Sequence, residues 1–247
     1  MKTLVNIWKP LALAGVSALA VAACDSDNNR NQPPPPPPPP PAMASFDVTV
    51  TNLTNGQPMS PVAVIAHQAG YSVFTIGSPA TVGLETMAEG GDNSMLIAEA
   101  DADASVISTG SGSAPSGPAG SETVTIDVRE NDLPGLMISV SSMLVNTNDA
   151  ISGLNGVDVS ALAEGDAWTG HAIVYDAGTE LNTELAAEIP GPAGGGEGFK
   201  AARSDRDDMV TMHSGVISQD DGLATSGLNG QHRFDNPALM VRIERTD

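Results

Sequence analysis

The chain has 247 residues, with 30 acidic side chains against ten basic ones and a formal net charge of -20. That balance repels phosphate, so it excludes nucleic-acid binding and disfavours direct adsorption on anionic lipid, while divalent cations become the natural counter-charge. Cys24 is the single cysteine, so no internal disulfide can staple an exported domain, which must rest on its own core or on a bound ion.

Lys2 and Lys9 give the chain a positive start, and Leu11 to Ala23 is apolar apart from Ser17. This is the pattern of a signal-peptide core and is too short for a permanent membrane helix. It ends in Val21-Ala22-Ala23-Cys24, which resembles the lipobox of bacterial lipoproteins. Small residues at Ala22 and Ala23 suit a narrow peptidase subsite, and the Cys24 thiol is where lipid would be attached. The expectation is a signal peptide over 1–23 and a lipid anchor at Cys24, on the non-cytoplasmic side of a membrane. An ordinary secretory signal with an incidental cysteine is the competing reading. Asp25 beside the anchor points to the inner membrane under enteric-type sorting rules. Those rules vary between bacteria, so the outer membrane or cell surface and the periplasmic face of the inner membrane both stay open.

The segment from Asp25 to Gln32 is polar, and nine prolines run from Pro33 to Pro41. A proline run adopts polyproline II at ~3.1 Å per residue, a stiff rod of roughly 28 Å. Beside a lipid anchor it reads as a spacer, with a ligand for aromatic-lined grooves as the alternative. Residues 24–45 are thus an anchored stalk and 46–247 one folded domain.

Phe46 to Thr51 alternates apolar and polar residues at period two and predicts a half-buried strand, followed by a turn at Asn55-Gly56. Val62 to Ala66 predicts a strand buried on both faces. Ser78-Pro79 is expected to open a helix that Gly90-Gly91 closes, with Leu84 and Met87 facing inward, and a second short helix covers Asn93 to Ala100. Thr109 to Gly120 has the composition of a loop. Glu122 to Val128 and Gly135 to Val145 predict a strand pair joined through Asn131 to Gly135. Val157 to Leu162, Ala167 to Tyr175, Met209 to Met212 and Leu239 to Ile243 are further strands, and Pro190 to Gly198 is a loop. Many short strands with two early helices predict an antiparallel β-sandwich.

Motifs of the common enzyme classes are missing: no nucleophile elbow, no phosphate loop, no zinc-protease helix and no dinucleotide fingerprint. His67, His171, His213 and His232 are scattered without metal-pair spacing and read as structural or surface residues. Carboxylates are the remaining chemistry. Asn146-Thr147-Asn148-Asp149 and Tyr175-Asp176-Ala177-Gly178-Thr179-Glu180 each put an acid where a strand leaves the core, and Gly178 permits a tight turn bringing Glu180 back beside Asp176. Oxygen ligands on loops at one end of a sandwich suit calcium, which takes six to eight oxygens at about 2.3–2.6 Å. The acid runs at Asp205-Arg206-Asp207-Asp208 and Asp220-Asp221 read as solvated charge.

The same segments resemble the spondin N-terminal domain family, known from F-spondin and mindin and also found in bacterial lipoproteins. The likeness rests on Phe46 to Thr54 with Gln57-Pro58 and Ser60-Pro61, on Gly83-Leu84 with Ala88 to Gly91, and on Ser142 to Val145 running to Asn148-Asp149 and Gly153. Tyr175 to Glu180 is its most specific piece, and Asn236-Pro237 with Val241 to Ile243 closes it. The resemblance implies a C2-like antiparallel β-sandwich of about eight strands with one or two short helices inserted early, and a calcium (Ca2+) site whose acids fall on Asp149, Asp176 and Glu180. Glu180 stands where the family has aspartate, and Ala150 where animal members carry an aromatic; the animal cysteines are absent.

The expected function is that of a non-enzymatic, calcium-binding envelope domain for adhesion or for docking an unidentified protein or glycan, with the membrane engaged through the lipid anchor only. Two other classes remain. An envelope hydrolase would use paired acids such as Asp207 or Asp220. A carbohydrate-binding module would have to build its platform on Trp168, the one tryptophan outside the signal segment.

Overall fold

The computed structural model describes residues 36–201 and 208–247. Residues 1–35, with the expected signal peptide, Cys24 and the first three prolines of the run, and the acid run from Asp205 to Asp207 lie outside these residues. Nine strands and two helices make up the unit from Pro41 to Asp247. They are β1 (Met43–Asn52), β2 (Ala63–His67), α1 (Val82–Gly90), α2 (Ser94–Asp101), β3 (Val106–Ser111), β4 (Ser121–Arg129), β5 (Met137–Met143), β6 (Ala150–Asp158), β7 (Ala167–Asp176), β8 (Thr211–Met212) and β9 (Leu239–Arg245).

Every named strand pairing is antiparallel, in the order β3-β2-β5-β6-β7-β9-β1-β4, with β8 on the side of β7. The fold is therefore a mostly β, nearly barrel-shaped sandwich. β7 joins its two layers. Ala167–Ala172 pairs with β9, whereas Ile173–Asp176 pairs with β6. At the crossing, the side chain of Asn236, which precedes a cis proline, accepts from Val174 N at 2.8 Å.

The period-two pattern of β1 is realised in full: Ala44, Phe46, Val48 and Val50 point inward and are buried. They meet Val124, Ile126 and Val128 of β4, Val241 and Ile243 of β9, and Val64, Ile138 and Val140 of the opposite layer. β2 is buried on both faces because Ala63 and Ile65 pack outward beneath α1 and α2, against Leu84, Met87, Ala88 and Leu96. The helices thus cover one face of the sandwich and exclude water from a second apolar cluster, a burial favourable by roughly 25 cal/mol per Å².

Several expectations need correction. α1 starts at Val82, not at Pro79, because the Thr81 hydroxyl accepts from Leu84 N at 3.2 Å and supplies the cap. The expected loop from Thr109 contains the last part of β3, which pairs with β2 as far as Ser111. β4 and β5 are not paired with each other. β4 pairs with β1, and a short 3-10 turn at Glu130–Asp132 carries the chain across the core to β5, which pairs with β2 and β6. Of the strand expected from Val157 to Leu162, only Val157 and Asp158 are in a strand, the end of β6, which starts at Ala150. β1 starts at Met43, three residues ahead of Phe46. Among the described residues no helix is long and apolar enough to cross a membrane.

Candidate functional site

One pole of the sandwich gathers the ends of β5 and β7, the start of β6 and the loops beyond them. The loop from Leu144 to Asp149 is held from several sides. Gln57 accepts from Asn146 N at 3.0 Å through Oε1, and its Nε2 donates to the carbonyls of Asn146 (3.0 Å) and His232 (2.7 Å). The Thr147 hydroxyl donates to Leu144 O and accepts from Ala150 N. Asn146 Nδ2 donates to Gly56 O, and Asn148 Oδ1 accepts from Glu184 N.

On this scaffold sit Asp149, Asp176 and Glu180, all buried. Ala150 and Asp176 are cross-strand partners, and Ala177 N donates to Asp149 O, so the two aspartates leave the sheet side by side. Asp149 Oδ2 accepts from Thr179 N (2.8 Å), Glu180 N (3.1 Å) and the Thr179 hydroxyl (3.3 Å). Its Oδ1 is buried without a hydrogen-bond partner. Asp176 accepts from Gly178 N at 2.9 Å and from Asn182 Nδ2 at 2.6 Å. Gly178 has φ +73°, and a Cβ there would lie 2.3 Å from Met209 O, so the turn expected from the sequence does require glycine. Burial first, then the charge of Asp176 and more weakly that of Glu180, pushes the Asp149 carboxyl above its ordinary range, against the lowering effect of the Glu180 and Thr179 amides.

The three acids named from the sequence thus share one pole. The sequence reading missed the residues that hold them: Gln57, Thr179, Asn182 and Glu184. Asn182 and Glu184, two and four residues after Glu180, carried a weak signal that composition could not separate from ordinary loop polarity. Among the described residues no group of three His, Cys, Asp or Glu side chains is drawn together closely enough to hold a metal by those groups alone. A hard cation takes carbonyl and amide oxygens as readily as carboxylates. The bare, buried Oδ1 of Asp149 beside Asp176 and Glu180 fits that donor chemistry.

The sequence profile of the spondin N-terminal domain, Spondin_N, matches residues 53–187, more than half of the chain. The chain belongs to the spondin N-terminal family. No match to a curated protein was found. The matched stretch of the spondin domain contains Asp149, Asp176 and Glu180 and ends just beyond Glu184.

The remaining candidates are placed as follows. His67 is buried, its ring nitrogens bonded to Gln68 O and the Ser139 hydroxyl at 2.8 Å each, and its ring 5.1 Å from that of Tyr71. His213 and His232 are also buried and His171 is exposed. Asp220 accepts from Gly230 N at 2.7 Å, and Asp221 caps its own 3-10 turn and pairs with Arg233 at 2.7 Å. Asp207 lies outside the described residues. Trp168 packs half-buried against the main core.

Proposed function

We propose that the chain is a lipid-anchored cell-envelope protein. In this reading its spondin domain binds calcium at Asp149, Asp176 and Glu180 and serves adhesion or docking of a protein or glycan without catalysis. The carrying observation is the Asp149 carboxylate, one oxygen held by three donors and the other buried and bare, beside two further acids of a family-matched segment. Calcium bound there would supply the positive charge that lets three neighbouring carboxylates stay ionised in a buried place. Asp149 keeps Thr179 and Glu180 in register, Gln57 fixes the preceding loop, and Gly178 lets the chain double back. A rigid loop pole of this kind presents a docking face, and the anchor expected at Cys24 with its proline stalk would hold that face away from a membrane.

Calorimetric titration with calcium tests the site: saturable binding is expected for the parent protein and none for the Asp149→Ala, Asp176→Ala, Glu180→Ala triple variant. Equal binding by both would refute the assignment. Incorporation of labelled palmitate into the parent but not into Cys24→Ala tests the anchor separately.

A further inference from the structure

Beyond the three acids, the same pole carries a cleft of about 410 Å³ between the loop after Glu180 and the segment before Ser218. Its walls include Leu181 and Ile217, which are 44% and 53% exposed, well above what such side chains show in a packed interior. Glu184 lines it and is only 2% exposed. Glu184 Oε1 accepts from Ile217 N at 3.1 Å, while Oε2 is buried with no hydrogen-bond partner. The backbone around it is pinned, Glu184 N donating to Asn148 Oδ1 at 3.2 Å and Gly227 N donating to Glu184 O at 2.7 Å. Ser214 stands exposed on the lip.

We infer that this cleft binds an alkylammonium group, the lysine side chain of a partner protein, with Glu184 as its counter-charge and Leu181 and Ile217 flanking the aliphatic stem. An isolated buried carboxylate oxygen is costly unless a donor reaches it. Two exposed aliphatic side chains flanking a single anion, with Asn182, Thr183 and Ser214 completing the lining, suit a cation carried on a methylene chain, whose stem covers apolar surface while its head is bound. A divalent metal would need several oxygens, yet Glu184 is raised by burial alone, with no neighbouring carboxylate contributing. The formal charge of -20 favours a basic partner throughout the approach. This inference stands independently of calcium binding at Asp149, although Asn182, on the cleft wall, also bonds Asp176 and places the two sites side by side.

The test is a methyl NMR titration of the full chain at pH 8, with chelator present, using n-butylammonium and, as the neutral control, 1-butanol. Saturable shifts of the Leu181 and Ile217 methyl signals are expected with n-butylammonium and not with 1-butanol. Glu184→Gln, with the rest of its spectrum retained, is expected to weaken the interaction at least about tenfold, the worth of one charge-assisted hydrogen bond. Equal response to the alcohol, or undiminished binding by Glu184→Gln, would overturn the inference. Omitting calcium keeps the outcome separate from the calorimetric test at Asp149.

Discussion

Replacing Glu184 by glutamine should make the protein more stable at pH 8 and leave it nearly unchanged at pH 4. Burial raises the Glu184 carboxyl from an ordinary value of 4.5 to about 7, partly offset by the hydrogen bond from Ile217 N. A carboxyl with a raised folded-state pKa holds its proton in the native state where the unfolded chain has lost it. Stability therefore falls as pH climbs from about 4.5 to about 7, and the loss is complete above that range. A rise from 4.5 to about 7, at about 1.4 kcal/mol per pH unit, corresponds to about 3 kcal/mol. Glutamine has the same shape and keeps an Oε1 able to accept from Ile217 N, so the neutral side chain escapes that loss. The assay is urea denaturation of parent and variant at half-unit pH steps from 4 to 8 in chelator. Asp149 is also raised, but it contributes equally to both proteins and cancels in the difference. The difference should grow by about 3 kcal/mol across the range, which in a domain of this size is roughly 6–12 °C in Tm. A difference that stays flat with pH would refute the reasoning.

Gln57→Leu should cost about 3 kcal/mol or more, since it strands Asn146 N and the carbonyls of Asn146 and His232 inside the protein; a loss below about 1 kcal/mol by denaturant titration would count against the role given to Gln57. Gly178→Ala should lower stability by at least about 2 kcal/mol, because φ is +73° and the new methyl would meet Met209 O. Its thermal midpoint would drop by several degrees if that contact governs the turn, and would stay put if it does not.

What could be read from the sequence follows physical lines. β1 was legible because its inward residues are large and its outward ones polar, the same contrast the structure uses. β2 was legible as an apolar run because helices cover its second face. β3 was not, since Ser108 to Ser111 is small and polar and stays half-buried or exposed. It is a strand only because β2 lies alongside. β6 was displaced in the reading for a related reason. Gly153 and Gly156 interrupt its apolar pattern, and a Cβ on Gly153 would fall 2.3 Å from Val140 O of the neighbouring β5. Asp149, Asp176 and Glu180 were legible as acids at strand ends, and the family resemblance named them. Their supports were hidden, because Gln57 acts across 89 residues of sequence, and separation of that kind leaves no local trace.

The placement of β1 has a mechanical consequence. The chain enters at Met43 on one pole and β1 ends at Asn52 on the other, where the candidate site lies, about 30 Å away at ~3.3 Å per residue. β1 is flanked on both sides, by β4 over Met43–Thr51 and by β9 over Phe46–Asn52. A pull between a tether at the N-terminal end and a partner at the far pole would run along the strand axis, perpendicular to its hydrogen bonds. Those two ladders would then be strained in parallel and could not be unzipped one bond at a time, the geometry in which a strand best resists tension.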